Sequence, residues 1–353
     1  MNKIPLGYDA VEFPPDCSYI KIINQAQLPK REEFILIRGI EELTDAVKTL
    51  KVRGAPALGV FTAAGIALLF RGFTGDSYSE ALSYLKDISE KIVSIRPTAV
   101  NSKWAADRIL QLFISEFSNG QFDLIKCKTK IAEEAVKIKQ EDICMSLSIA
   151  ENAITLLNPK DKLLTICNAG HLATARFGTA LAPIYLGEEL GYSFMVYVTE
   201  TRPLLQGARL TAFELSQSGI EVTLICDNMI SALMKKGEIN AVLTGCDRIA
   251  ANGDVANKIG TSSLAILAKY YQIPFYVLGP ESTIDKSIPS GSSIVIEERD
   301  GIEITEMWYK ERMAPDKIKT FNPAFDITDS ELVTAIVTNK GIYKYPFDFS
   351  GDD

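Results

Sequence analysis

The sequence has very little histidine and no closely spaced cysteine pair. Its 353 residues include a single histidine, His171. A metal site built on several histidines is therefore excluded, and a Ser-His-Asp triad would have to use this one residue. The six cysteines (17, 127, 144, 167, 226 and 246) are scattered, without a Cys-x-x-Cys pair. In a chain of this size that pattern is typical of reduced thiols, so we expect a cytoplasmic protein.

Other absences narrow the function further. No apolar run is long enough to span a bilayer, and residues 1–16 lack the apolar core of a signal peptide. The 37 Lys and Arg are outnumbered by 45 Asp and Glu, giving a net charge of -8. We therefore expect no broad nucleic-acid or membrane binding, and any anionic substrate must meet a local positive site. The missing Gly-x-Gly-x-x-Gly fingerprint disfavours a nicotinamide or flavin dehydrogenase.

What is present indicates a soluble chain with a large core, in which 47% of the residues are hydrophobic and 23% charged. Residues 1–40 contain short strand-like runs, and helical periodicity dominates afterwards. One of these helices, 57–70, is apolar on nearly every side and is predicted to be buried. We assign residues 1–126 to a smaller, mainly helical N-terminal domain. A long amphipathic helix over 128–157 then leads into a second domain, 127–353.

From residue 163 the pattern changes to alternating strands and helices. Five apolar runs are predicted as strands: 163–167, 194–198, 222–226, 241–245 and 275–279. Helical patterns occupy most of the intervals: 171–189, 205–218, 228–236 and 260–271. Such alternation is typical of βαβ units on a parallel sheet, so the predicted fold class is α/β with a mostly parallel sheet.

Two of the predicted strands end in chemically useful side chains. Cys167 closes one run, and Asp247 follows another. Because parallel strands place their carboxyl ends on one edge of the sheet, where ligands bind, both residues are expected to face one cleft. The structural alternatives are that Cys167 is a small buried residue and that Asp247 and Asn252 only shape a loop.

Positive side chains occur near predicted helix starts. Asn257, Lys258 and Gly260 precede the helical run at 261–271, and we expect free backbone N–H groups there to cradle a phosphate. Arg53 and Arg96 each precede a proline at a helix junction. A buried arginine has to pair or reach a ligand, so anion contact is weighed against plain capping for Arg53.

Several motifs, in order, make a family resemblance visible. They are RGAPALGV (53–60), RPTAVN (96–101), TICNAGHLATARFGTALAPI (165–184), ETRPLLQGARLTAFEL (200–215), GCDRIAANGDVANKIGTSS (245–263) and NPAFDIT (322–328). Together they closely resemble the S-methyl-5-thioribose-1-phosphate isomerases. These enzymes share a superfamily with ribose-1,5-bisphosphate isomerase and the α, β and δ subunits of translation initiation factor 2B.

The resemblance implies a Rossmann-like C-terminal domain, a homodimer, and catalysis without metal or organic cofactor. It implies Asp247 as proton donor and Cys167 as its catalytic partner. The residues that it implies for substrate binding are Arg53, Gly54, Ala55, Arg96, Gln206, Asn257 and Lys258. Ile166, His171, Leu204 and Cys246 depart from the usual family residues, which leaves the preferred 5-substituent of the sugar open.

The implied reaction is an aldose–ketose isomerisation of 5-methylthioribose 1-phosphate, which serves methionine salvage. A 5-deoxyribose 1-phosphate substrate is an alternative within the same chemistry. Hydrogen transfer through a phosphoenolate and direct hydride transfer both stay open. A different class of function, a non-catalytic regulatory subunit that binds a sugar phosphate or nucleotide, is disfavoured because Cys167 and Asp247 are both present.

Overall fold

The computed structural model describes residues 1, 3–96, 99–118 and 122–351. The chain divides into two compact units. The N-terminal unit comprises residues 2–145 and 170–178, and the C-terminal unit comprises Met1, 146–169 and 179–353. The two units divide within one long helix, Leu124–Ile154. The boundary predicted at residue 126 lies in the first turn of that helix.

A small antiparallel sheet and long helices build the N-terminal unit. Its elements are β1 (Val11–Glu12), β2 (Ile20–Ile23), β3 (Phe34–Ile37), α1 (Ile40–Lys48), α2 (Ala55–Phe70), α3 (Tyr78–Ser94), α4 (Val100–Phe117) and the first part of α5 (Leu124–Ile154). Strand β2 lies between β1 and β3, with Ile22 opposite both Val11 and Ile35. The predominance of helix agrees with the periodicity of the sequence.

Helix α2 is the centre of this unit because it is apolar on all sides and buried over almost its whole length. Helices α3 and α4 pack against it. Pro56 in its first turn fits the helix start, where an N–H would have no partner. Among the described residues, no helix combines the length and the hydrophobicity needed to cross a membrane.

Strands and helices alternate in the C-terminal unit. Its strands are β4 (Lys162–Thr165), β5 (Met195–Thr199), β6 (Glu221–Ile225), β7 (Ala241–Thr244), β8 (Arg248–Ala250), β9 (Val255–Lys258), β10 (Phe275–Leu278), β11 (Ile284–Asp285), β12 (Phe325–Thr328), β13 (Ala335–Val337) and β14 (Ile342–Lys344). Its helices, after the end of α5, are α6 (Ala182–Glu189), α7 (Ala212–Gln217), α8 (Ile230–Lys235), α9 (Thr261–Tyr270) and α10 (Ile302–Thr305).

The main sheet confirms the predicted fold class. Within the described residues seven strands form it, in the order β14-β13-β10-β7-β4-β5-β6. All neighbours are parallel except β13 and β14. The central strands β7 and β10 are buried along their whole length, since helices cover parallel sheets on both faces. All five predicted strands are present.

A second sheet, which the sequence analysis does not predict, follows β7. Its order is β11-β8-β9-β12, and β9 runs antiparallel to both β8 and β12. Asn257 and Lys258 therefore end a strand, and α9 begins three residues after Lys258, as the sequence analysis expects. The turn at Gly253, with φ +85°, returns the chain from β8 to β9, which pair as antiparallel neighbours.

The predicted helix over 171–189 is also only partly present. A single 3-10 turn covers His171–Ala173, and α6 begins only at Ala182. In between, Thr174 Oγ1 accepts hydrogen bonds from the backbone N–H groups of Gly178 (2.8 Å) and Arg176 (3.2 Å). A side-chain hydroxyl thus takes the donors that a helix would need.

Segment 170–178 is held in the N-terminal unit by charge. Asp9 accepts hydrogen bonds from Arg176 Nη2 at 3.0 Å and forms an ion pair with Lys139 Nζ at 2.8 Å. Burial raises the pKa of Asp9, but Arg176 and Lys139 outweigh burial and hold that pKa below its ordinary value. The contribution of this carboxylate to stability is therefore present above about pH 4 and lost as the pH falls through the lowered pKa.

We predict that Asp9→Asn destabilises the protein by about 1.5–3 kcal/mol at pH 7, because hydrogen bonds to charged groups are lost in a partly buried place. Urea unfolding measures the change. Asp87→Asn is the matched control, since Asp87 pairs with Lys91 on the surface and exposed pairs contribute about 0–1 kcal/mol. Equal stabilities of both variants at pH 7, or a difference that persists well below pH 3, would contradict the assignment.

Candidate active site

The ends of β4 and β7 define the candidate site in the C-terminal unit. These strands are parallel neighbours, with Thr165 opposite Leu243. Cys167 follows β4 by two residues, and Asp247 follows β7 by three. Both side chains therefore belong to loops at the carboxyl edge of adjacent strands, as the sequence analysis expects, and that edge is the usual ligand site of such sheets.

The backbone at Cys167 is strained and tightly bonded. Its φ of +64° is left-handed, a conformation that non-glycine residues adopt at a cost and mostly at functional sites. The Cys167 N–H donates to Thr201 Oγ1 at 2.8 Å, and its carbonyl accepts from Thr211 Oγ1 at 2.6 Å. Asn168 Nδ2 also donates to Thr211 Oγ1, at 3.0 Å. These bonds hold the half-buried thiol in a defined place.

Asp247 lies in the short loop between β7 and β8. Its N–H donates to the Ala256 carbonyl at 2.9 Å, which ties the loop to β9. Its side chain is exposed in the single chain. The exposure follows from its position, because Asp247 lies beyond the end of β7 rather than inside the sheet.

Lys258 supplies a buried positive charge near both residues. Only 4% of Lys258 is exposed. Burial lowers the pKa of its ammonium group, whereas the charges of Cys167, Glu303 and Asp247 act to raise it. Its neighbour Asn257 is also buried and donates from Nδ2 to Thr244 Oγ1 (2.8 Å) and Thr261 Oγ1 (3.1 Å). The Asn257 amide oxygen is thereby oriented as an acceptor.

The backbone cradle expected at the start of α9 is already filled. Asp326 accepts hydrogen bonds from the N–H groups of Gly260 (2.7 Å) and Ser262 (3.2 Å). The pKa of Asp326 is raised overall, because the effect of burial is larger than the lowering by those two N–H groups and by Lys258. The prediction of free N–H groups at this helix start is therefore wrong, since a carboxylate of β12 takes the place of the anion. The side chains of Asn257 and Lys258 remain candidates for binding phosphate there.

Gln206 carries the clearest unmet hydrogen-bonding capacity. It lies in the turn after β5, whose backbone is fixed by Asp227 through the N–H groups of Thr201 and Arg202, both at 2.8 Å. Gln206 Oε1 is buried, and no hydrogen-bond partner for it is found among the described residues. The next residue, Gly207, has to be glycine, because a side chain there would come within 1.8 Å of the Thr199 carbonyl oxygen. An unsatisfied buried acceptor is costly and marks a place for a ligand donor.

The remaining candidates lie in the N-terminal unit. Arg53 is half-buried, and its Nε donates to Gln25 Oε1 at 3.1 Å. Gly54, with φ +94°, would bring a side chain within 2.4 Å of the Ala173 carbonyl oxygen, so glycine is required. Ala55 begins α2. Arg96 is half-buried after the end of α3, and Pro97 and Thr98 of its motif lie outside the described residues.

The four residues that depart from the family pattern are buried or half-buried. His171 is fully buried, packs edge-on against Tyr8 and has its pKa lowered to about 4 by burial, so it is neutral near pH 7. Burial raises the pKa of Cys246 to about 12, and its Sγ lies 3.4 Å from Thr283 Oγ1. Cys246 is therefore a protonated thiol near pH 7. Ile166 is buried and Leu204 half-buried.

Residues 51–345 match the model of the initiation factor 2 subunit family. The chain belongs to this family. Among curated relatives, the methylthioribose-1-phosphate isomerase of Parabacteroides distasonis is 52% identical over 333 residues, 94% of this chain and 98% of the relative. The 5-deoxyribose 1-phosphate isomerase of Petrotoga mobilis is 48% identical over 326 residues, 92% of this chain and 93% of the relative.

Two solved structures have the same fold as this chain. A 5-methylthioribose 1-phosphate isomerase from Pyrococcus horikoshii OT3 has a TM-score of 0.90 and 39% identity, covering 96% of this chain and 93% of that one. The translation initiation factor eIF-2B subunit delta from A. fulgidus has a TM-score of 0.87 and 39% identity, covering 96% of both chains.

Two polar residues of this family member escape the sequence analysis. Gln25 bonds to Arg53, and Asp326 closes the turn after Lys258. The only sequence signal for Asp326 is its place in the NPAFDIT motif, to which no role is assigned. Gln25 lies two residues after the end of β2 and belongs to no motif. Both act through pairings that are remote in sequence, which periodicity does not reveal.

We predict that Asp326→Ala destabilises the protein by about 1–2 kcal/mol, the usual cost of losing a carboxylate or amide that caps a helix. The N–H groups of Gly260 and Ser262 lose their acceptor in this variant. Asp326→Asn is the matched control because its amide oxygen still accepts, and it should lose only a fraction of that stability. Urea unfolding that gives the same free energy for Asp326→Ala and the wild type would refute the capping role.

Proposed function

We propose that this protein is an aldose–ketose isomerase that converts 5-methylthioribose 1-phosphate to 5-methylthioribulose 1-phosphate. The observation that carries the proposal is the pairing of β4 with β7, which presents Cys167 and Asp247 at one sheet edge with the buried Lys258 in electrostatic range of both. The methylthioribose-1-phosphate isomerase of Parabacteroides distasonis, at 52% identity over 94% of this chain, supports the same substrate.

The chemistry explains why an acid and a base are needed. A phosphate ester on the anomeric oxygen removes the hydroxyl proton whose loss would open the ring of a free aldose. An acid must therefore protonate the ring oxygen while the ring bond to C1 breaks. A base then takes the proton from C2, and the electron pair that is released forms a phosphoenolate with C1. Protonation at C1 and loss of the C2 hydroxyl proton to a base, which turns the C2–O bond into a carbonyl, complete the ketose.

Asp247 and Cys167 are suited to the two proton transfers. Asp247 is the proposed donor to the ring oxygen, and a sugar that covers the strand edge would remove water from this exposed carboxyl and favour its protonated form. Cys167 is the proposed base at C2, because a nearby cation such as Lys258 favours the thiolate over the thiol. The same cation favours an ionised Asp247, so the donor role depends on the substrate displacing solvent.

The side chains proposed to bind the substrate divide by chemistry. Arg53, Arg96 and Lys258 are cations suited to the phosphate, with bidentate geometry available to the arginines. The Asn257 amide oxygen and the buried Gln206 Oε1 are acceptors for sugar hydroxyl groups. The backbone of Gly54 and Ala55 at the start of α2 completes the proposed set.

Steady-state turnover tests the function directly. The purified protein should isomerise 5-methylthioribose 1-phosphate, measured side by side with 5-deoxyribose 1-phosphate and ribose 1,5-bisphosphate. Preference for the methylthio sugar supports the proposal, and preference for the deoxy sugar would assign the activity that names the Petrotoga mobilis relative. Absence of turnover with all three would favour the alternative, a regulatory subunit, to which the A. fulgidus relative's name points.

We also propose a cytoplasmic homodimer. All six cysteines lie in the described residues and are free thiols, which fits a reducing compartment. Large apolar side chains of the C-terminal unit, including Trp308, Met313 and Phe321, are exposed in the single chain, and such surfaces often bind a partner. Light scattering after gel filtration measures the oligomeric state, and a monomer at micromolar concentration would contradict the dimer.

We predict that Cys167→Ser and Asp247→Asn each reduce kcat by about 100- to 10,000-fold, as expected for a general base and a general acid. The two losses should not add in the double variant, because both residues act on one reaction path. Cys144→Ser is the control, since Cys144 is an exposed thiol. Turnover near the wild-type rate in either variant would remove that residue from the mechanism.

We predict that Arg53→Ala and Arg96→Ala each raise KM by roughly ten- to hundredfold, because a charge-assisted bond to phosphate contributes about 1.5–3 kcal/mol. Arg38→Ala is the control, an exposed arginine that stacks on Tyr19. Initial rates over a range of substrate concentrations separate KM from kcat. Kinetic constants that match the control in both variants would exclude the two arginines from phosphate binding.

A further inference from the structure

Gln25 is a buried amide in the N-terminal unit that neither the motifs nor the proposed function uses. It follows β2 by two residues, and only 1% of it is exposed. Its backbone N–H donates to the Lys51 carbonyl at 3.1 Å. The residue is therefore fixed by its own main chain beside the segment that leads to Arg53.

Both ends of the Gln25 amide form hydrogen bonds. Its Oε1 accepts from Arg53 Nε at 3.1 Å, and its Nε2 donates to the Leu172 carbonyl at 2.8 Å. The donor and the acceptor of the amide thus each match a partner of the opposite kind. Gln25 links Arg53 to segment 170–178, which begins three residues after Cys167.

The chemistry of this link suits an anion-binding arginine. A guanidinium presents five N–H donors in a planar fork. Because the guanidinium is planar, the bond at Nε also restricts the plane in which the two terminal nitrogens lie. Because Gln25 is neutral, its bond orients Arg53 and leaves the positive charge in place. A carboxylate in the same position would cancel that charge.

The backbone beside Arg53 is confined against the same segment. A side chain at Gly54 would lie 2.4 Å from the Ala173 carbonyl oxygen, so the main chain after Arg53 runs directly against the residue that follows Leu172. One side-chain bond and one close backbone approach therefore fix Arg53 from two directions. Loss of Gln25 would leave the backbone in place and remove the hydrogen bond at Arg53 Nε.

We propose that Gln25 is a positioning residue that holds the Arg53 guanidinium ready for the substrate phosphate. The inference rests on the proposed function, which gives Arg53 its phosphate. Gln25 does not touch the reacting atoms, so it should affect binding of the substrate much more than the chemical step.

Two measurements on the full-length protein test this role. The first is steady-state kinetics with 5-methylthioribose 1-phosphate. The second is the rate at which phenylglyoxal modifies Arg53, followed by mass spectrometry of the peptide, which needs no activity. Gln25→Leu should raise KM about tenfold, the effect of losing one bond to a charged group, with kcat close to wild type. Arg53 should then be modified several-fold faster.

Gln25→Glu separates orientation from charge. Its carboxylate still accepts from Arg53 Nε, so the slow modification of Arg53 should be restored. KM should stay raised, because the new negative charge competes with the phosphate for the guanidinium. A merely structural role of Gln25 would predict no such separation between the two measurements.

Gln27→Leu is the matched control, an exposed glutamine two positions away, and both its KM and its modification rate should equal those of the wild type. Wild-type values of both quantities in Gln25→Leu would overturn the inference. If that variant fails to fold, a wild-type KM in Gln25→Glu would overturn it as well. If the wild type isomerises none of the sugars, the proposed function fails, and the modification rates alone decide whether Gln25 orients Arg53.

Discussion

Parallel pairing of β4 with β7 is the constraint on which the candidate site depends. The two strands are remote in sequence, and a parallel pair requires a long crossover connection, here through β5 and β6. The pairing is stabilised by burial, since Leu164 and Val242 are opposite one another and fully buried. It places two loops with different chemistry, one ending in a thiol and one in a carboxyl, at the same edge of the sheet.

Polar side chains fix the loops that this pairing brings together. Thr201 and Thr211 hold the strained backbone of Cys167, and Asp227 holds the turn that carries Gln206. Asp326 does the same for the turn after Lys258. In each case a side chain satisfies backbone groups that regular structure leaves open at the end of a strand or the start of a helix. The loops are thereby rigid enough to hold a left-handed cysteine.

The chain is acidic overall but contains a few buried or half-buried positive side chains. The net charge is -8, yet Lys258 is 4% exposed and Arg53 half-buried. A buried ammonium group is costly without a compensating anion, and the lowered pKa of Lys258 reflects that cost. A phosphorylated sugar would supply the compensation. The negative net charge of the whole chain, by contrast, repels polyanions.

The sequence by itself determines the α/β class, five of the strands of the main sheet and the strand-end positions of Cys167 and Asp247, because apolar runs and their spacing are local properties. The sheet of β8, β9, β11 and β12, the Asp326 cap, the exposure of Asp247 and the bond from Arg53 to Gln25 are decided only in the tertiary structure. Each of these depends on a partner that is distant in sequence, and hydrogen-bond geometry between such partners leaves no periodic trace. The non-helical stretch 174–181 has the same cause, since Thr174 and Asp142 take up backbone N–H groups that the local pattern would assign to a helix.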